Sequence, residues 1–338
     1  MPKKQKVLTI GGATQDIYLH YEGSDCMKIM ESTGERSYML FESGSKVEVD
    51  EILTFTGGGS TNSAVSFSRL GFDTSCFCMV GDDIAGTIII DELAKENINT
   101  SNLIHSKEHE SGRSFVINSI RRDRTIFAHR GANGFLSEKD IPFDAIKQAD
   151  QLYITSLSHR SSRLLGKIVA FAKKENKPVA INPGISQLSK GAKELKESLQ
   201  YIDILILNSS EAKTFMPALV ESTESVFFSI KRFLQQVLKM GPKVVVVTDG
   251  VNGVHVASEK QMLFRPSLQV DVVDTLGAGD SFGSCFVALL LRGESLEEAL
   301  AKGIVNAASV IGKMGAKPGL LTASELEERA KSHSKIPE

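Results

Sequence analysis

Residues 274–282 read Asp274-Thr275-Leu276-Gly277-Ala278-Gly279-Asp280-Ser281-Phe282. An apolar stretch with Leu268, Val270, Val272 and Val273 leads into it, and an apolar run from Phe282 to Leu291 leads out. The pattern predicts a strand before and a helix after, with a turn of small residues at the handover. Gly277, Ala278 and Gly279 leave backbone N–H groups uncovered at the positive end of that helix, which makes an anion site. Asp280 sets a carboxylate beside it, where repulsion opposes a simple bound anion. Two readings fit. Either Asp280 caps the helix, or the anion is a phosphoryl group in transfer and Asp280 takes the proton of the attacking hydroxyl.

The same alternation extends backwards along the chain. Strands are expected at Leu152–Thr155, Val179–Asn182, Ile202–Leu207 and Val244–Thr248. Helices are expected through Ala172, near Lys193–Leu199, from Ser209, at Glu224–Lys239 and at Ala299–Ile311. The Val244–Thr248 run has no polar alternation, as in a strand covered on both faces. Such βα alternation implies a mostly parallel sheet with helices on both sides. Upstream, Val7–Ile10 and Thr74–Val80 read as strands, and Ser60–Leu70 and Ile84–Glu96 as helices. Tyr38–Phe41, Val47–Phe55, Ser114–Ile120 and Thr125–Ala128 also read as strands, the last two flanking an arginine-rich hairpin turn at Arg121-Arg122-Asp123-Arg124. The stretch His20–Ser37 shows no clear period. These β-rich pieces interrupt the βα rhythm, so one α/β domain over 1–338 is expected, with a small β lid from about 14–56 and 112–130.

Composition narrows the function classes. The 338 residues are 41% hydrophobic and carry a formal net charge of −2. That suits a globular protein with a substantial core and gives no field favouring nucleic acid or an anionic membrane. Four scattered cysteines, Cys26, Cys76, Cys78 and Cys285, suggest a reducing compartment rather than a disulfide scaffold. The start, Met1-Pro2-Lys3-Lys4, lacks a signal-peptide apolar region, and no run is long enough to span a bilayer. A soluble, cytoplasmic protein is expected.

Familiar nucleotide motifs are absent. Gly312-Lys313-Met314 is not the end of a P-loop, which needs Ser or Thr after the Lys and Gly where Ala307 stands. Gly57-Gly58-Gly59 fails the dinucleotide spacing because position 62 is Asn. Other features offer polar chemistry at element ends. Gly57 to Asn62 opens a helix, where glycines admit close backbone approach and Asn62 offers both donors and acceptors; tight packing alone is the other reading. Asp16 follows the first strand and is either a turn residue or a grip on two hydroxyls. Glu211, in Asn208-Ser209-Ser210-Glu211, is either a first-turn dipole partner or a metal-related carboxylate. His105 and His109 read as a solvated loop, and Cys76 and Cys78 as core.

Residues 274–282 resemble the C-terminal signature of the ribokinase-like (PfkB) sugar and nucleoside kinases, D-T-x-G-A-G-D-x-F, at every specified position. The resemblance implies an ATP-dependent kinase with Asp280 as catalytic base and Gly277, Ala278 and Gly279 as anion hole. By the same likeness, Gly57, Gly58 and Asn62 match the family's G-G-x-x-x-N sugar motif. Asp16 matches the Asp of N-x-D, with Thr14 in place of Asn, and Asn133 matches a segment near the substrate. Asn208 and Glu211 match N-x-x-E, associated with Mg²⁺ and phosphate. Thr248, Gly250 and Gly253 match a turn under the nucleotide, and Asn306 a position bordering adenine. Asp274 and the Gly312–Pro318 loop resemble the monovalent-cation region, with K⁺ as the candidate ion. The implied partner is a sugar, with a nucleoside as the alternative acceptor and a non-catalytic sensor as the alternative class. Segment 156–158, Ser-Leu-Ser, lacks the second carboxylate of ribokinase. Apolar residues of the lid, among them Leu40, Phe41, Ile52 and Phe115, exceed what a thin sheet buries, so two lids are expected to clasp in a homodimer.

Overall fold

A computed structural model describes residues 4–20, 25–31, 34–118, 124–220 and 228–333. Strand β1 (Lys6–Ile10) is followed directly by β2 (Thr14–His20). Strands β3 (Asp25–Glu31) and β4 (Gly34–Leu40) pair as an antiparallel hairpin. The sequence showed no period there, and in the structure the apolar Met27, Ile29, Tyr38 and Leu40 are all exposed, so burial does not order them into a pattern. Strand β5 (Glu51–Gly57) starts at Glu51 rather than Val47, and leads into helix α1 (Gly59–Arg69). The expected strand at 74–80 is two strands, β6 (Asp73–Phe77) and β7 (Met79–Gly81), broken at Cys78. Next come α2 (Ile84–Lys95), β8 (Ile104–Ser106), β9 (Gly112–Asn118) and β10 (Arg124–His129). Strands β9 and β10 form the expected hairpin. Residues 119–123, with Arg121 and Arg122, lie outside the described residues.

The alternating half follows: α3 (Phe143–Gln148), β11 (Gln151–Ile154), α4 (Leu165–Lys174), β12 (Val179–Ile181), α5 (Ile185–Leu188) and α6 (Ala192–Ser198). Then come β13 (Ile204–Asn208), α7 (Ser209–Leu219), α8 (Ile230–Leu238), β14 (Val244–Thr248), β15 (Val254–Ser258) and β16 (Met262–Arg265). Helices α9 (Ala278–Leu291), α10 (Leu296–Ile311) and α11 (Ala323–His333) complete the chain. Helix α8 begins at Ile230, and residues 224–227 of the expected helix lie outside the described residues. The strand expected at 268–273 does not form. The N–H groups of Val273 and Asp274 both donate to Ile311 O at the end of α10, and Leu268 packs on the core. Leu268 alone of the apolar residues at 268–273 packs on that core cluster, and Val273 is 49% exposed.

Eight strands form the central sheet in the order β16-β15-β14-β13-β12-β11-β1-β6. From β14 to β6 every pairing is parallel, and β15 and β16 add an antiparallel edge. Successive residues feed opposite faces. Leu8, Ile10, Leu152, Leu205 and Val245 meet Ile168, Phe215 and Phe233 on one side. Val7, Tyr153, Ile206 and Val246 meet Phe67, Phe282 and Phe286 on the other. Each such side chain contributes about 1.5–3 kcal/mol on burial, so two covered faces require runs without polar alternation. Helices on both faces of this sheet give the ribokinase-like α/β fold.

In a parallel sheet all carboxyl ends share one edge. Here that edge carries Gly11 after β1, Thr155 after β11, Asn182 after β12, Asn208 ending β13 and Thr248 ending β14. A second sheet, β10-β9-β2-β5, stands at this edge. Two of its links to the main body are the turn Gly11–Ala13 and the glycines joining β5 to α1. Both links lie where ligands bind in open α/β sheets. Among the described residues no helix is long and apolar enough to cross a membrane.

Candidate active site

The anion loop forms as the chain turns into α9. Gly277 has φ +78°, and a Cβ there would come 2.4 Å from the Ala316 Cβ. Only glycine fits, for both space and conformation. Gly279 differs: an added Cβ would meet no atom within 4 Å, because this backbone faces the open cleft. Helix α9 therefore presents its first-turn N–H groups to a cavity.

Asp280 lies on the floor of that cavity. Its Oδ2 accepts a hydrogen bond from Asn62 Nδ2 at 2.8 Å. Burial raises its pKa, Asn62 opposes the rise, Asp16 adds to it and the charge of Lys317 offsets part. Asn62 Oδ1 is buried without a protein partner. A buried amide oxygen left in that state is costly, so the group is suited to a donor from a ligand. Gly59, at the start of α1, makes the approach of the two helices possible: a Cβ there would meet Thr155 at 2.8 Å and Asp280 Oδ1 at 3.3 Å.

Asp16 and the glycine turn form the other end. Asp16 on β2 is 4% exposed. Burial raises its pKa, while hydrogen bonds from Ser114 and Thr14 and the Lys317 charge pull it down. Thr14 Oγ1 donates to Asp16 Oδ1 at 3.2 Å, so the residue in place of the motif's Asn orients this carboxylate. A Cβ on Gly57 would lie 1.9 Å from Asp16 Oδ2. Gly58 has φ +97°, and its Cβ would strike Gly12 O at 2.5 Å. The two glycines thus let β5 press against the β1–β2 turn.

Along the edge, Asn208 caps α7. Its Oδ1 accepts from Glu211 N at 2.8 Å, and Glu211 Oε2 accepts from Asn208 N at 2.9 Å. This reciprocal capping box satisfies two orphan donors. Glu211 nevertheless borders the cleft. Burial raises its pKa, the bond from Asn208 N lowers it, and the Asp280 charge adds a smaller push upward. A cavity of about 190 Å³ is lined by Asn182, Asn208, Glu211, Thr248, Gly277, Gly279 and Asp280. Gly250, at φ +56°, and Gly253, at φ +113°, shape the turn after β14.

Three expected site residues have other engagements. The Asn133 amide engages Ala13 at both ends, accepting from its N–H at 2.8 Å and donating to its carbonyl at 2.7 Å. It thereby anchors the β1–β2 turn. Asn306 is 0% exposed. It donates to Ser281 O and accepts from Leu321 N, tying α10 to α9, so its side chain does not border the cleft. Asp274 accepts from Tyr18 Oη, Leu276 N and Gly315 N. These donors fasten the anion loop to β2.

Two residues enter that the sequence reading missed. Asn182 lines the cleft with Nδ2 bonded to Ile206 O; a polar residue ending an apolar strand was the available signal. Lys317 is 2% exposed. Nothing in a Gly-Ala-Lys-Pro loop signals a buried ammonium.

The chain resembles known proteins in both sequence and fold. Residues 26–323 match the pfkB family carbohydrate kinase profile. The chain is 25% identical over 307 residues to the ribokinase of Bacillus subtilis (strain 168), covering 90% of this chain and 97% of that one. Its fold is similar to Arabidopsis thaliana ribokinase complexed with ribose and ATP, at TM-score 0.79 and 21% identity over 97% of this chain and 99% of the other. It is also similar to a putative ribokinase II from E. coli in complex with ATP and Mg²⁺, at TM-score 0.79 and 21% identity over 97% and 100%.

Proposed function

The chain belongs to the pfkB family of carbohydrate kinases, phosphotransferases with an alcohol group as acceptor, and we propose that it transfers the γ-phosphoryl group of ATP to a primary hydroxyl of a sugar. The observation that carries this reading is the position of Asp280. One carboxylate stands both at the mouth of an anion loop and within a hydrogen bond of the acceptor turn.

The roles follow from the chemistry of each group. Asp16 and the free Asn62 oxygen hold acceptor hydroxyls, since both are buried acceptors of hydrogen bonds. Asp280 takes the proton from the attacking hydroxyl. Its raised pKa makes it a stronger base than an ordinary carboxylate. The acceptor oxygen forms its bond to the γ-phosphorus as the bond to the β-γ bridging oxygen breaks, and ADP leaves. The first-turn amides of α9 stabilise negative charge on the transferring group. Asn208, Thr248, Gly250 and Gly253 border the nucleotide. Glu211 and Asp280 repel each other across one cleft, a donor set that fits Mg²⁺ and its waters. Bound there, the ion would neutralise charge on the nucleotide phosphates.

The small sheet β10-β9-β2-β5 acts as a lid that excludes water from the acceptor. A panel of sugars and nucleosides with ATP and Mg²⁺ tests the reading. ADP release that depends on an added sugar is expected. Turnover only with nucleosides would replace the acceptor class, and no acceptor-dependent turnover at all would sink the kinase reading.

A further inference from the structure

The loop after α10 touches both halves of the cleft. Gly315 N donates to Asp274 Oδ2 at 3.1 Å, just before the anion loop. Ala316 sits against Gly277 so closely that a Cβ there would collide. Lys317 turns the other way. Its side chain is 3% exposed. The ammonium donates to Thr56 Oγ1 and reaches Glu92 Oε2 at 3.4 Å. Thr56 is the residue before Gly57, on the strand that delivers the acceptor turn. Arg69 Nη1 holds the Lys317 carbonyl at 3.1 Å, so the loop itself is pinned.

A buried ammonium is unfavourable unless well paired. Glu92 is a weak partner for it, being one-third exposed and at the long end of the hydrogen-bond range. An apolar residue of the same length would fill the space at lower cost. What only the ammonium supplies is a bond to Thr56 and a positive charge near Asp16 and Asp280.

We infer that Lys317 is a positioning residue that couples the acceptor turn to the anion loop. Gly315, Ala316 and Lys317 form a three-residue bridge. Thr56–Gly58 hangs on one end and Gly277–Gly279 on the other, so the acceptor hydroxyl and the transferring phosphoryl group are placed by one rigid unit. The kinetic consequence rests on the kinase reading; the mechanical coupling does not.

Lys317→Met and Thr56→Val, singly and together, test it. Lys317→Met should lower kcat/KM for the best acceptor by roughly 10- to 100-fold, the effect of a small misplacement of reacting groups, with KM for ATP little changed. Thr56→Val should give part of that loss, and the double variant should be no worse than Lys317→Met, because both remove one link. In unliganded protein, Lys317→Met should speed hydrogen exchange in both 51–58 and 274–279 while β14 stays unchanged. Losses that multiply in the double variant, or a lowered Tm with wild-type kinetic constants, would overturn the coupling. If Lys317→Met does not fold, Thr56→Val decides alone: wild-type constants for acceptor and ATP would refute the inference. If the wild-type protein phosphorylates nothing, the kinase reading fails but the exchange experiment still judges the bridge. Acceleration confined to 51–58 would show that the two ends are not joined.

Discussion

Asn62 donates its amide to the Asp280 carboxylate across 218 positions of sequence, at 2.8 Å. One residue opens α1 and the other opens α9, so the bond joins the acceptor turn to the anion loop. It also fixes which way the Asn62 amide faces, leaving its oxygen for a hydroxyl donor. On the proposed reading, the carboxylate is thereby held where an attacking oxygen and a phosphoryl group would meet.

Asp280→Asn should lower kcat by roughly 10²–10⁴, the usual range for a general base, while ATP binding measured by calorimetry is retained. The same change should raise Tm at neutral pH. Burial lifts the Asp280 pKa above its unfolded value, so stability present below the unfolded pKa is lost as pH rises through the folded pKa. Asparagine has no charge to lose, so its advantage should shrink on acidification into the ordinary carboxylate range. A variant with full turnover would remove Asp280 from the chemistry.

Asp16→Ala should weaken the acceptor selectively. Loss of a charged hydrogen bond costs about 1.5–3 kcal/mol, or roughly 10- to 100-fold in KM. Steady-state kinetics with each substrate varied in turn would check this. A rise confined to the KM for ATP would mean that the two ends of the cleft are assigned in reverse.

The two outer glycines of the anion loop should respond differently to alanine. Gly279→Ala meets open space, so Tm should hold while kcat falls because the methyl group occupies room meant for a phosphoryl oxygen. Gly277→Ala combines a left-handed backbone with a 2.4 Å approach to Ala316, so the folded state itself should suffer. Thermal melts beside activity assays separate the two. Equal losses of Tm would contradict the geometry.

Glu211→Gln should raise the Mg²⁺ concentration for half-maximal rate, since an anionic contact to the ion or its waters is lost. The cap on α7 should survive because glutamine keeps an acceptor oxygen for Asn208 N. A Mg²⁺ titration that superimposes on wild type, with normal Tm, would leave Glu211 as a helix cap only.

Acceptor binding should slow hydrogen exchange in β2, β5 and β9 while β14 stays unchanged, as expected if the small sheet closes over the site. Ile52 is 59% exposed and Phe127 56% on that sheet. A second copy of this chain is the expected cover for them, so sedimentation should show a dimer that Ile52→Glu weakens. Exchange indifferent to saturating acceptor would rule out the lid. A monomer at every concentration would rule out only the dimer.

Local chemistry and periodicity made much of this protein legible in its sequence. Apolar runs without polar alternation marked strands buried on both faces, as Val244–Thr248 is. Glycines at element ends marked places where backbone comes close to another group: Gly57 to Asp16, Gly59 to Thr155 and Asp280, and Gly277 to Ala316. Asp280 stood out because a carboxylate beside an anion loop conflicts with simple anion binding, and the structure sets it in the cavity, bonded to Asn62. The β3–β4 hairpin was not legible, since exposed apolar residues such as Met27, Ile29, Tyr38 and Leu40 are under no burial constraint that would impose a pattern. Apolar residues at 268–273 misled because the backbone there bonds to the end of α10 instead of to a strand, a partner that side-chain type does not encode. Amide side chains were ambiguous for a different reason. Asn62, Asn133 and Asn306 offer the same groups, and only their neighbours in space decide their use. Folding spends Asn133 on Ala13 and Asn306 on two backbone groups, and leaves one oxygen of Asn62 free. Lys317 follows the same logic: its burial behind the acceptor turn comes from contacts 225 and 261 residues away, which no local pattern encodes.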